Sequence, residues 1–129
     1  MVEPDGPGES AVEVDRNAVD ERLREERDEV RARLASMTSD LQSLFAASQD
    51  SNADDEHDPE GQTIAYERSQ LSSLIGAAQD QLAQIDAAMA RLRGGSYGLC
   101  EVCGEPIAPA RLEARPTART CVAHVQSTT

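Results

Sequence analysis

Aromatic residues are nearly missing from this chain of 129 residues: Phe45, Tyr66 and Tyr97 are the only three, and tryptophan does not occur. Without large flat side chains a thick globular core is hard to fill. The abundant Ala, Leu, Gln, Glu, Asp and Arg instead favour long amphipathic helices. Lysine is absent too, so all twelve basic residues are arginines. No run of about 20 apolar residues exists, which excludes a helical membrane span. The opening stretch from Met1 to Gly6 lacks both the basic and the apolar part of a secretion signal, so a cytoplasmic location without a membrane partner is the expectation. Three cysteines, an odd number, do not read as a disulfide framework.

Charge is present in excess, and it is unevenly spread. The formal net charge is −12. Residues 1–60 hold 18 of the 24 acids and half of the arginines, whereas residues 61–129 are neutral overall. Such an acidic half repels phosphate, which argues against nucleic acid as the primary ligand. It suits a basic protein groove, or simply solubility.

Along the chain, residues 1–14 place Pro4, Gly6, Pro7 and Gly8 among acids and are expected to form a disordered acidic leader. A helical pattern starts near Asp15. Leu23, Val30, Met37 and Leu44 recur every seven residues, interleaved with Leu34 and Leu41. A second stretch repeats Ile64, Leu71, Ala78, Ile85 and Leu92, interleaved with Ile75, Leu82 and Met89. Both are 4-3 heptad stripes, each interrupted by one arginine, Arg27 and Arg68. The segment 50–59 between them breaks helices, with Asp58 as N-cap candidate and Pro59 at the first helical position. Arg91, Arg93 and then Gly94-Gly95 end the second stripe. The expected architecture is all-α: an antiparallel coiled-coil hairpin over 15–93 with its tip near 50–59, each arm about 50 Å long at 1.5 Å per residue. Opposite seams pair either with Leu41 against Leu71, or with Leu41 against Ile64. Both registers put the apex within 52–56.

Residues 94–129 carry the sharpest signal. Cys100, Cys103, Cys121 and His124 follow the spacing C-x2-C-x17-C-x2-H. Two pairs of soft donors with two-residue spacers converge on one ion, and four N/S ligands make a closed, structural zinc site. Few apolar residues surround it, so Zn2+ is expected to drive the folding of this module. Within its linker, the stretch from Pro109 to Pro116 reads as one or two helical turns that Pro116 stops.

Tyr97-Gly-x-Cys-x-x-Cys-Gly104, Ile107, Arg111-Leu-Glu-Ala-Arg-Pro116, Ala118 and Cys121, placed after a helical hairpin, resemble the DksA/TraR family of transcription regulators. The resemblance covers about residues 50–124. It implies a protein that enters the secondary channel of bacterial RNA polymerase and alters initiation, often with the alarmone ppGpp. In that family the hairpin tip carries a D-x-x-D-x-A motif. Asp55 and Asp58 match its acids, and Glu60 stands where Ala is usual. Asp54 and Glu56 extend the acidic tip. The fourth metal ligand is His124 where cysteine is commoner.

The expectation is therefore a non-enzymatic, RNA-polymerase-binding regulator with a Cys3His zinc finger and no sequence-specific DNA binding of its own. Three other readings predict different behaviour. A tip-bound Mg ion would stimulate transcript cleavage, as Gre-type channel factors do. A zinc ribbon that binds nucleic acid directly would show steep salt dependence, yet the chain lacks a basic, aromatic-studded face. A coiled coil serving only as a dimerising adaptor would not associate with polymerase at all.

Overall fold

The computed structural model describes residues 15–50 and 59–128. Two long helices dominate: α1 over Arg16–Asp50 and α2 over Pro59–Gly94. A short helix, α3, follows over Pro109–Ala114, and a kinked 3-10 segment runs over Val122–Thr128. The expected leader 1–14 lies outside the described residues.

Each helix boundary has a local cause. The Asp15 carboxylate accepts the backbone N–H of Asn17 at 3.1 Å and of Ala18 at 3.3 Å, so it caps the first turn of α1. Pro59 opens α2, where an amide hydrogen would have no helical partner. At its far end, the N–H groups of Ser96 and Tyr97 both reach back to the Arg91 carbonyl, at 3.0 and 3.2 Å. Gly95 takes φ +88° to make that return, a left-handed position that suits glycine.

The described residues fall into two compact units. One joins residues 15–26 to 84–128, and the other joins 27–50 to 59–83. In both, α1 and α2 pack antiparallel. In the first unit the Arg16 guanidinium donates to the Leu92 carbonyl at 3.2 Å, start of one helix to end of the other. In the second, Arg33 donates to the Gln81 side-chain oxygen at 3.1 Å, and the Arg68 guanidinium lies over the Phe45 ring, 4.3 Å from its centre. These two pairs select the register that sets Leu41 against Leu71.

Every apolar seam position named from the sequence is buried or half-buried. Full burial is confined to a few: Leu23, Ile85, Met89 and Leu92 in the first unit, Val30 and Ala78 in the second. Two helices alone cover a seam residue incompletely, which explains the half-buried majority. Ala88, fully buried, lies off the heptad stripe. It shares a helix face with Gln84, four residues earlier, and Gln84 lines a hollow with Ala118 and Thr120 of the C-terminal module. Among the described residues, no helix is long and apolar enough to cross a membrane.

Candidate metal centre

The C-terminal module is built on two tight turns that face each other. A short antiparallel bridge pairs Leu99 with Pro106, and Ile107 N–H donates to the Gly98 carbonyl at 2.7 Å. Inside this loop the Cys100 N–H reaches the Glu105 carbonyl at 2.8 Å, and the Gly104 N–H reaches the Cys100 carbonyl at 2.9 Å. Gly104 sits at φ +78°, so the turn that brings Cys103 back toward Cys100 needs a residue without Cβ strain. The second turn is shorter: His124 N–H donates to the Cys121 carbonyl at 3.0 Å. The Glu101 N–H, donating to the Arg119 carbonyl at 2.9 Å, ties the two turns together.

Behind the turns lies a small core of Cys100, Ile107, Leu112 and Ala118, with Tyr97 and Cys121 packed against it. Leu112 enters it from α3. The Arg111 guanidinium donates through Nε to the Thr120 carbonyl at 2.8 Å, one residue before Cys121. The Tyr97 hydroxyl donates to the Pro116 carbonyl at 2.7 Å. The Arg-Leu-Glu-Ala-Arg-Pro string is thus internal scaffolding: Arg111 holds the second turn, Leu112 fills the core and Pro116 anchors Tyr97.

The four sequence-derived donors, Cys100, Cys103, Cys121 and His124, converge: their ligand atoms all lie within 4.8 Å of one another. Cys103 Sγ and Cys121 Sγ are 3.9 Å apart, Cys100 Sγ and His124 Nδ1 3.8 Å, and Cys121 Sγ and His124 Nδ1 3.3 Å. A tetrahedron with Zn–S near 2.3 Å and Zn–N near 2.05 Å has S–S edges of about 3.8 Å and S–N edges of about 3.6 Å. The donor set fits zinc in type, number and spacing. All three thiols are free of disulfides.

Electrostatics favour the ligating form at Cys100. Burial pushes the Cys100 thiol up, but backbone N–H groups at Cys103, Cys121 and Val102 outweigh it and lower its pKa to about 6. For Cys103 the hydrogen bond from the Glu105 backbone lowers the value, yet burial and the neighbouring sulfurs together leave it raised. Sulfurs crowded this closely cannot all ionise without a cation between them. The module therefore carries a structural Zn2+ site.

Sequence reasoning found the donors but missed what braces them. Arg91, half-buried at the end of α2, donates to the Thr117 carbonyl at 3.4 Å and stands 3.8 Å from the Glu101 carboxylate. Arg22 on α1 donates to the Glu113 carbonyl at 2.6 Å. Side chains that reach distant carbonyls leave no periodic trace. The arginines beside the finger divide their roles: Arg119 pairs with Glu101 at 3.9 Å, while Arg111 serves a carbonyl and not an acid. The tip candidates Asp54, Asp55, Glu56 and Asp58 lie outside the described residues.

Comparison with known proteins agrees with this construction. Residues 95–123 match the family model of the prokaryotic dksA/traR C4-type zinc finger. A 41-residue stretch is 58% identical to the RNA polymerase-binding transcription factor DksA of Caulobacter vibrioides, covering 32% of this chain and 29% of that protein. A 39-residue stretch is 46% identical to the protein of the same name from Haemophilus influenzae, covering 30% and 27%. The chain thus spans less than a third of the length of these curated relatives. The likeness to a solved structure, transcription factor DksA2 from Pseudomonas aeruginosa, is broader: TM-score 0.71 at 29% identity, over 87% of this chain and 81% of that one. The finger of this chain thus matches the dksA/traR zinc-finger family model, and its fold is similar to that of a DksA structure over most of its length.

Proposed function

We propose that this protein is a transcription regulator that binds bacterial RNA polymerase, with a structural zinc ion holding the C-terminal module. The observation that carries the reading is the pairing of the zinc finger with two antiparallel helices in a fold shared with DksA2. Each helix has about 35 residues and so a length of about 53 Å. A helical hairpin of that length reaches deep into a channel too narrow for a globular domain. In this reading the hairpin enters the secondary channel and the acids Asp54, Asp55, Glu56 and Asp58 modulate initiation from its tip. Their charge suits a channel lined by basic side chains. Cys100, Cys103, Cys121 and His124 hold the zinc, and the protein catalyses nothing itself. It works in the cytoplasm and needs no direct sequence-specific contact with DNA.

Co-purification with core RNA polymerase tests the reading, using the parent chain and the Asp55→Asn/Asp58→Asn double variant. Retained binding with a lost effect on promoter complexes is the expected result. No association of the parent chain with polymerase refutes it. A transcript-cleavage assay on a stalled complex separates initiation control from Gre-type cleavage.

A further inference from the structure

We propose that the groove between α1 and α2 over residues 40–47 and 67–74 is a docking site for a basic amphipathic helix of a partner protein. That RNA polymerase carries this helix rests on the proposed function above; the chemistry of the groove does not. The groove is open, mostly apolar and holds about 650 Å3. Its α1 wall is Asp40, Ser43, Leu44 and Ala47, and its α2 wall is Glu67, Gln70, Leu71 and Leu74. Each set has the spacing i, i+3, i+4 and i+7, which is one helix face over two turns, about 10 Å long at 1.5 Å per residue.

Only Leu44 and Leu71 belong to the heptad seams, and the hairpin leaves both half-buried. Ala47 and Leu74 widen the apolar floor beyond the seam that joins the two helices, and Leu74 is 53% exposed. Positions beside a two-stranded seam often carry charges that pair across it. Here Ser43, Ala47, Gln70 and Leu74 carry none. Two ridges with an apolar valley between them form the surface on which a third helix packs, inserting its own side chains at i, i+3, i+4 and i+7.

The charges select the occupant. One acid stands on each wall, and no base lines the groove. With Leu41 level with Leu71, Glu67 lies level with Phe45, so the two carboxylates are displaced along the axis by about five residues, or about 7.5 Å. Beyond Arg33, α1 has no basic residue, and α2 has only Arg68 before Arg91. The Arg68 guanidinium is already engaged over the Phe45 ring. A second copy of this chain would set acid against acid. Nucleic-acid phosphate and an anionic lipid surface are repelled in the same way. A helix with an apolar stripe and an arginine or lysine on each flank satisfies both walls: the stripe covers Leu44, Leu71 and Leu74, and each flanking cation meets one carboxylate.

The probe is a synthetic peptide of about 18 residues, long enough to form a helix, with leucines at i, i+3, i+4 and i+7 and arginines on both flanks. Its control carries glutamates in place of the arginines. Fluorescence anisotropy reads binding to the full zinc-loaded chain. The parent chain binds the basic peptide and not the acidic one. Leu74→Glu weakens binding about tenfold or more, because its carboxylate is then buried against the stripe. Ser69→Glu adds the same charge on the opposite, exposed side of α2 and leaves binding unchanged. Asp40→Asn/Glu67→Gln keeps the apolar floor but lowers affinity and flattens its salt dependence. Equal binding by Leu74→Glu and the parent, as a peptide held merely by net charge would show, overturns the proposal, and so does no binding by the parent. A parent dimer in sedimentation that Leu74→Glu dissociates also overturns it, assigning the groove to a second copy. With core RNA polymerase the same ranking is expected: Leu74→Glu loses association and Ser69→Glu keeps it. Full association of Leu74→Glu overturns polymerase as the source of the helix. No association of the parent counts against the proposed function instead, and the peptide result still decides the groove.

Discussion

Zinc removal should divide this protein into a part that survives and a part that does not. The finger's interior holds few apolar side chains, chiefly Ile107 and Leu112, whose burial is worth about 1.5–3 kcal/mol each. Structural zinc in small fingers contributes roughly 10–16 kcal/mol of apparent binding energy, so the ion, rather than the core, supplies most of what holds the finger folded. The long helices are expected to outlast it: α1 and α2 contain 35 and 36 residues, against six in α3. A strong chelator, or His124→Ala together with Cys121→Ala, is therefore expected to lower the far-UV helical signal by less than about a tenth, the share of helix that lies in α3. Amide-exchange protection across residues 97–124 should disappear at the same time. Restoring Zn2+ to the chelated chain restores the protection. Two results would refute the reasoning. Protection that persists without metal would show that the core suffices alone, and loss of half the helical signal would show that the hairpin depends on the finger.

Three further perturbations follow from single contacts. Leu112→Ala removes the α3 side chain from the finger core and is expected to cost about 2–5 kcal/mol, read as weakened zinc retention against a competing chelator with the hairpin's thermal midpoint unchanged. Asp15→Ala deletes the acceptor for the Asn17 and Ala18 amides and should cost about 1 kcal/mol, seen as faster exchange confined to the first turn of α1. Acidification should loosen the finger, because protons compete with the ion for the three cysteine sulfurs and for His124. Zinc retention and exchange protection in residues 97–124 should both fall as pH falls, and a profile that rises toward acid would contradict that sign.

Much of this architecture was legible in the residues because it rests on periodic or local signals. The 4-3 stripes reported the buried faces of both helices, and Pro59 and Gly95 marked boundaries where backbone chemistry leaves few choices. The metal donors were legible because a two-residue spacer is short enough to bring two side chains together within one turn. The register was not legible, since a seam repeating every seven residues supports two alignments equally. It became distinguishable through the Arg33–Gln81 and Arg68–Phe45 pairs, whose partners lie far apart in sequence. Arg91, Arg22 and Arg111 were also invisible as braces. Their partners are carbonyl oxygens, which every residue possesses, so no sequence pattern advertises them.

The string Arg111-Leu-Glu-Ala-Arg-Pro116 makes this chain recognisable, yet Arg111, Leu112 and Pro116 face inward, to Thr120, to Gly98 and to Tyr97. What identifies the relatives is therefore a recipe for folding a zinc knuckle, and inheriting the recipe commits a protein to nothing about its effect on a target. Selection is free to rewrite the outer arginines and the distal acids while leaving the kinship readable. Proteins sharing this signature are accordingly expected to agree in construction and to diverge in consequence.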